Sequence, residues 1–167
     1  MDANEQKQNE QKVFDRVLNH LRTQRKPSAN GFGDCLYRYE EHNTGKTLSC
    51  AIGCLIPNEA YSPVIEQALA DSFRIAALAD HDEILEDISP EKYLAQRRVG
   101  KELNKLGVSY SFLSMLQDIH DSAARVSTRP LQTLTPEQLF LNAVEKDFSE
   151  MAIRRGLTYT PPQPKLP

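Results

Sequence analysis

The sequence predicts a mainly α-helical domain (α+β) that carries one β-hairpin in its N-terminal third. Apolar residues recur at helical spacing in the first segment and again in the C-terminal half. Pairs of a hydroxyl residue and a proline, which suit helix starts, are spread along the chain. One stretch of alternating residues reverses through a turn and predicts the hairpin. With 167 residues, of which 40% are hydrophobic, the chain suits one domain with its own core.

The first helix is predicted from Val13, Val17 and Leu21, which recur every four residues and therefore share one face. Residues 1–10 are polar, and we expect a flexible lead there, outside a single globular domain of residues 11–157. The helix should end before KPSANGFGD, because the proline and glycines of this stretch break a regular pattern. A loop is expected over that stretch.

The hairpin is predicted over CLYRYEEHNTGKTLSC, residues 35–50. Its first strand alternates two sets of side chains, with Cys35, Tyr37 and Tyr39 on one face. The sequence NTG, residues 43–45, supplies the turn, and the second strand returns through Leu48 and Cys50.

Helices are predicted to dominate the rest of the chain. Three hydroxyl–proline pairs mark helix starts: Ser62–Pro63, Ser89–Pro90 and Thr135–Pro136. The last start also has Gln138 three positions on, which completes a capping box, and its helix should end at Gly156. A further amphipathic helix is expected after Ser109, with an apolar face of Phe112, Leu116, Ile119 and Ala123. Residues 158–167 contain four prolines, so we expect a frayed Pro-rich tail.

The charge balance argues against some classes of partner. The net charge is -3, and the basic residues are spread among acidic ones, so binding to a nucleic-acid backbone is not expected. No apolar run approaches the ~20 residues of a membrane span, and the first residues are too polar for a secretory signal. Three cysteines without a disulfide-like pattern favour a reducing compartment. We therefore expect a cytoplasmic protein without membrane contact.

The stretch SCAIGCLIPNEAY, residues 49–61, raises the question of a metal site. Cys50 and Cys54 share a helical face if the segment is helical, and with Cys35 they form a weak candidate for zinc. The pattern lacks the closely spaced ligand pairs of structural zinc sites. The favoured interpretation is a packed core segment in which free cysteines act as small hydrophobic residues and Gly53 lets another backbone come close.

A second candidate site combines His81, His120, Asp121 and Asp147. Their order resembles the H…HD…D pattern of helical HD phosphohydrolases, in which such residues hold a metal that activates water. Isolated His-Asp pairs are common, however. The alternative interpretation is that His120 lies at the border of an amphipathic helix and is hydrogen-bonded or in water.

A third candidate, a binding site, is predicted around the hairpin. Tyr37, Arg38 and Tyr61 could stack on a base or a protein surface, and the guanidinium could pair with a phosphate or carboxylate. Half-buried tyrosines are also ordinary strand residues, so a structural role is the alternative. Gln117 and His120, from the helix after Ser109, complete the predicted binding residues.

Two blocks of the chain carry a family resemblance. The first comprises CLYRY, residues 35–39, and CAIGCLIPNEAY, residues 50–61; the second is LQDIHD, residues 116–121. Together they resemble a family of small proteins of bacteriophages and bacterial mobile elements. Its pattern is a C-x-Y-R strand, then C-A-V-G-C-L-I-P-D-E-x-Y and a later L-Q-x-I-H-D helix. The aspartate of that pattern is Asn58 here, so a role that needs a carboxylate there is not carried over.

The resemblance implies a setting, a bacterial cell, rather than an activity. Small phage proteins without a catalytic signature often act by occupying a target. We therefore expect a non-enzymatic binding or inhibitor protein, of counter-defence type, that needs no cofactor. Its partner would be a host protein or a small nucleotide-like signal, and its apolar helix faces favour a homo-oligomer. A metal-dependent HD-type phosphohydrolase is the alternative.

Overall fold

The computed structural model describes residues 2–30, 32–79, 88–128 and 133–163. These residues form five α-helices and one antiparallel two-stranded sheet, which confirms the mainly helical class with a hairpin. The helices are α1 Ala3–Gln24, α2 Ala70–Leu78, α3 Pro90–Asn104, α4 Tyr110–Ser127 and α5 Pro136–Arg155. The strands are β1 Arg38–Glu40 and β2 Thr47–Ser49, and single 3₁₀ turns occur at Gly53–Leu55 and Pro63–Ile65. None of the described helices is long and apolar enough to cross a membrane.

Helix α1 includes most of the segment that the sequence assigns to a flexible lead. It begins at Ala3, because the Asp2 carboxylate accepts a hydrogen bond from the Glu5 amide at 2.7 Å and caps the first turn. Glu10 is buried and pairs with Arg155 of α5 at 2.7 Å. The polar segment is therefore helical because of its N-cap and the ion pair of Glu10. The ion pair joins distant segments, so the local sequence pattern does not reveal it.

The hairpin lies where the sequence predicts it, but its strands are short. Tyr39 of β1 pairs with Leu48 of β2, at the centre of three paired positions. Cys35, expected to begin the first strand, instead forms an isolated bridge with Ala29. The edge of the extended segment before β1 is covered by Glu66, whose carboxylate accepts hydrogen bonds from the Tyr37 amide at 2.7 Å and the Arg38 amide at 3.0 Å.

Two of the three predicted hydroxyl–proline helix starts are confirmed. Ser89 caps α3, and Thr135 caps α5 with the full capping box before that helix ends at Gly156. The prediction at Ser62 is wrong, because Pro63–Ile65 is only a single 3₁₀ turn and Ser62 makes no capping hydrogen bond. Gln67 then adopts a left-handed conformation (φ 65°), which ends any helix.

The core is built around fully buried phenylalanines. Phe14 of α1 meets Phe148 of α5 with ring centroids 5.0 Å apart, and Phe112 of α4 is also fully buried. Ser109 caps α4 as predicted. Helix α3 approaches α2 closely at Gly100, where a Cβ would lie 2.1 Å from the Phe73 carbonyl oxygen.

Residues 158–160 lie against α1 and α5, although the sequence places them in a frayed tail. The backbone of Thr158 exchanges two hydrogen bonds with the Gln11 side chain. The Tyr159 hydroxyl donates to Glu145 at 2.6 Å, and the Arg22 guanidinium lies over the Tyr159 ring. One aromatic residue thus anchors the start of a Pro-rich segment.

Candidate functional site

The cysteine block belongs to the core, as the sequence indicates. Cys50 is buried, together with Ala51, Ile52, Leu55 and Ile56. The predicted close approach at Gly53 is confirmed, because a Cβ there would lie 1.9 Å from the Tyr37 carbonyl oxygen. The segment therefore packs directly against the backbone that leads into β1.

The three thiols are held in their neutral form. Burial raises the pKa of Cys54 to about 12. Burial and the neighbouring Asp121 carboxylate raise the pKa of Cys35 to about 12. Burial also raises the pKa of Cys50, whose sulfur accepts a hydrogen bond from the Gly53 amide at 3.2 Å. The thiolate is the nucleophile and the metal ligand, so this environment disfavours both kinds of chemistry.

His120 lies at the centre of a buried hydrogen-bond network. Its Nε2 accepts from the backbone amide of Ser28 at 3.1 Å. Because a backbone amide can only donate, the ring proton is on Nδ1, which donates to the Asp121 carboxylate at 2.9 Å. The ring is fully buried and meets Phe140 edge-on. Both ring nitrogens are therefore used inside the protein.

Asp121 lies at the surface end of this network. His120 and the Gln117 amide donate to it, at 2.9 Å and 2.7 Å, and the Cys35 sulfur lies within 4.8 Å of its carboxylate. Burial alone would raise the pKa of Asp121, but these hydrogen bonds outweigh burial and lower the pKa below its usual range. Gln117 also accepts from the Ile52 amide at 3.2 Å. The network thus joins α4 to the cysteine block and to the loop before the hairpin.

Cys35, His120 and Asp121 form the one group of possible metal ligands found within the described residues, with ligand atoms within 4.8 Å of one another. Cys50 and Cys54, the other two members of the zinc candidate, are outside this group. A metal on Nδ1 of His120 would move the ring proton to Nε2, where it would face the Ser28 N–H donor. The donor set therefore fits a hydrogen-bonded brace better than a metal site.

The residues of the hydrolase candidate are only partly brought together. His120 and Asp121 are adjacent, whereas Asp147 on α5 lines a different groove, together with Asp118 and Ile119 of α4. His81 lies outside the described residues.

The predicted binding residues near the hairpin make internal contacts. Tyr37 is buried, and its hydroxyl donates to the Ala68 carbonyl. The Tyr61 hydroxyl donates to Glu66 at 2.8 Å. The Arg38 guanidinium lies 4.4 Å from the Tyr61 ring centroid. These side chains brace the hairpin, while part of Arg38 also borders an open cleft.

Two open clefts lie beside the hairpin. The acidic cleft has a volume of about 650 Å³, and its charged lining residues are Asp34, Asp71, Asp118, Asp121 and Arg125. The arginine cleft has a volume of about 710 Å³, and its ionisable lining residues, its thiol apart, are Arg16, His20, Arg38 and Glu59. The clefts are lined by neighbouring residues at the start of the hairpin, since Tyr37, just before β1, lines the first and Arg38, in β1, lines the second.

A hydrogen-bonded turn places an aromatic ring beside the acidic cleft. This Phe32 turn comprises Asn30, Phe32, Gly33 and Asp34. The Asn30 side-chain oxygen accepts hydrogen bonds from the Phe32 and Asp34 amides, both at 3.0 Å. The Asn30 amide donates to the Asp34 carbonyl, also at 3.0 Å. Phe32 itself is 94% exposed.

Sequence reasoning missed three of these features. It treated NGFGD, residues 30–34, only as a loop, although its Asn–Gly pair is a recognisable turn signal. It gave no role to Ser28 or Arg16, since both depend on contacts with distant segments.

Comparison of the chain with protein-family models, curated proteins and solved structures finds no match.

Proposed function

We propose that this protein is a non-enzymatic binding protein that occupies a protein target through the Phe32 turn and the acidic cleft. The exposure of Phe32 carries the proposal. A phenylalanine that is 94% exposed gains nothing from the hydrophobic effect in the free protein. The Phe32 and Asp34 amides donate hydrogen bonds to the Asn30 side chain and hold the turn around the ring, so little backbone entropy would be lost when the ring enters a partner's pocket.

A second apolar side chain widens this surface. Leu69 lines the acidic cleft and is 75% exposed. Gly33 and Asp34 line the same cleft, so the Phe32 turn and Leu69 border one depression. Exposed aromatic anchors beside a depression are typical of the few residues that dominate protein–protein affinity.

The charge of the cleft indicates the chemistry of the partner. Four carboxylates and one guanidinium line it, and the lowered pKa of Asp121 keeps that carboxylate ionised at neutral pH. Asp71 is already paired with Arg74, which leaves the remaining acidic side chains to attract a partner. A basic protein surface with an apolar pocket for Phe32 would be complementary.

The state of the described thiols and of His120 supports binding over catalysis. The described thiols are neutral, and both nitrogens of His120 are engaged. The resemblance to phage and mobile-element proteins suggests the target, a protein of the host bacterial cell, and a counter-defence role in its cytoplasm. Binding would inhibit this target protein, because the surface of the target that contacts the Phe32 turn and the acidic cleft would be covered.

Affinity capture from bacterial lysate tests the proposal. The wild-type protein and the variants Phe32→Ala and Ile153→Ala are compared by quantitative mass spectrometry. Ile153 is the matched control, since it is an apolar residue on α5 that is 82% exposed. A target is expected to bind the wild type and Ile153→Ala, and to lose affinity for Phe32→Ala by roughly 30-fold, the equivalent of one hot-spot residue.

The charge argument adds an independent check. Asp118→Asn should weaken the same complex, and the effect should shrink as salt increases. If the wild type and Phe32→Ala capture the same proteins in the same amounts, the proposal is refuted. We predict a homo-oligomer, and native mass spectrometry of the purified protein measures the oligomeric state.

One observation favours the metal-dependent phosphohydrolase as a second candidate. Cys35, His120 and Asp121 place their ligand atoms within 4.8 Å of one another. This function requires a stoichiometric metal in the purified protein and the loss of that metal in His120→Ala.

A further inference from the structure

We propose that the arginine cleft binds the phosphate group of a small ligand such as a nucleotide. This site is distinct from the Phe32 turn, and the inference does not rest on the proposed protein target. Arg16 from α1 and Arg38 from β1 supply its positive charge. Both guanidinium groups are held by the protein, they lack carboxylate partners within the described residues, and an open volume lies between the elements that carry them.

Both guanidinium groups are anchored on the same short segment. Arg16 Nη2 donates to the Cys54 carbonyl at 2.8 Å. Arg38 Nη2 donates to the Ile56 carbonyl at 2.6 Å, two residues further along. The close packing of Gly53 against Tyr37 fixes this segment. Arginines that are already ordered lose less entropy when they bind an anion.

The protein's described carboxylates leave both arginines charged and unpaired. Arg22, Arg25, Arg74, Arg154 and Arg155 each form an ion pair with a carboxylate. Within the described part of the chain, Arg16 and Arg38 have no carboxylate at ion-pair distance. The side-chain hydrogen-bond acceptor of Arg38 is the uncharged Asn58, at 2.9 Å, and the face of its guanidinium lies over the Tyr61 ring. The two cations are thus available to a ligand.

Hydrogen-bond donors also remain for that ligand. A guanidinium has five N–H groups. In the described residues, Arg16 uses one of them, on the Cys54 carbonyl, and Arg38 uses two, on Ile56 and Asn58. Guanidinium donors form a planar fork that matches the oxygens of a phosphate, which is why arginine is the preferred residue for phosphate recognition.

The remaining lining residues are compatible with an anion. Glu59 is the one carboxylate among the described residues that line the cleft. His20 is uncharged at neutral pH, since burial lowers its pKa, and its Nε2 donates to the Ser49 carbonyl at 3.0 Å. The volume of about 710 Å³ is within the range of small-molecule sites and could hold a nucleotide.

Isothermal titration with AMP and with inorganic phosphate tests the inference. Saturable binding of AMP is expected, and Arg16→Gln should weaken it about tenfold or more, the usual effect of losing a charged hydrogen-bond donor. Arg16 is exposed and makes one tether, so this variant should fold. Arg154→Gln removes the same charge from an exposed site on α5 and should leave binding unchanged.

Two further variants change the charge of the cleft without removing an arginine. Asn58→Asp keeps the side-chain acceptor for Arg38 and adds a negative charge that offsets the positive charge of that guanidinium. Binding of AMP should therefore weaken, while the fold is retained. Glu59→Gln should strengthen binding. If phosphate binds as tightly as AMP, the recognised group is the phosphate alone. The inference is overturned if neither ligand binds at millimolar concentration, or if Arg16→Gln and Asn58→Asp leave binding unchanged.

Discussion

Replacement of Gly53 by alanine offers the sharpest test of the packing that holds the two clefts in place. The new Cβ would lie 1.9 Å from the Tyr37 carbonyl oxygen, whereas ordinary contacts begin at 3.4 Å. A gap of about 1.5 Å must therefore open between two backbone segments. Tyr37 cannot move easily, because Glu66 holds its amide and Ala68 accepts from its hydroxyl.

The expected cost follows from what the movement disrupts. Overpacking of a well-filled core costs about 1–3 kcal/mol. The hydrogen bond from the Cys50 amide to the Tyr37 carbonyl, 3.2 Å long, would also be strained, at a cost of about 1 kcal/mol. Gly53→Ala should therefore lower the free energy of unfolding by roughly 2–4 kcal/mol, a large part of the 5–15 kcal/mol typical of a folded protein.

Urea denaturation measures this change, and Gly45→Ala is its control. Gly45 has a left-handed backbone (φ +64°) but no atom within 4 Å of an added Cβ. Its substitution should cost only the backbone strain, about 1 kcal/mol. Equal destabilisation by the two variants would refute the close approach at Gly53, because of these two positions only Gly53 has an atom that would clash with an added Cβ.

The remaining predictions concern the thiols and His120. Since the folded pKa values of Cys35 and Cys54 are raised from 9.0 to about 12, their contribution to stability is complete below pH 9 and lost as the pH rises toward 12. Urea midpoints at pH 7 and pH 10 check this loss, and a midpoint that does not fall at pH 10 would contradict it. His120→Ala should destabilise the protein by about 1–3 kcal/mol, because it leaves the Ser28 amide buried without an acceptor. Metal analysis of protein purified without chelator should give the same content for this variant and the wild type, whereas a stoichiometric metal that disappears in the variant would contradict this expectation and favour the hydrolase alternative.

Local signals predicted those parts of the fold that depend on local chemistry. The capping box of Thr135 and the left-handed Gly156 define α5 because both act within one helical turn. Ser62–Pro63 has the same hydroxyl–proline pair but lacks a Gln or Glu three residues on, and the chain there makes only a 3₁₀ turn. Glu66, just beyond it, hydrogen-bonds to the Tyr37 and Arg38 amides, so a tertiary contact overrides the helix signal.

The candidate sites were less predictable, because their residues meet across long stretches of chain. His120 is hydrogen-bonded to Ser28, 92 residues away, and no local pattern links the two. Arg16 contacts the Cys54 carbonyl across 38 residues. By contrast, the close approach at Gly53 was predictable, since a glycine inside a dense apolar block is typical of a position where a second backbone leaves no room for a side chain.

The residue types that suggest catalysis or metal binding in the sequence, the cysteines and His120, make internal hydrogen bonds that stabilise the fold. The Cys50 sulfur accepts from a backbone amide, and His120 orders Ser28 and Asp121. A side chain with both hydrogen-bonding ends satisfied has nothing left to offer a ligand. Phe32 and Arg16 come from less conspicuous sequence, yet the first presents an exposed ring and the second a guanidinium without a carboxylate partner among the described residues. In this protein, binding is therefore better inferred from what remains unsatisfied on the surface than from the density of reactive residue types.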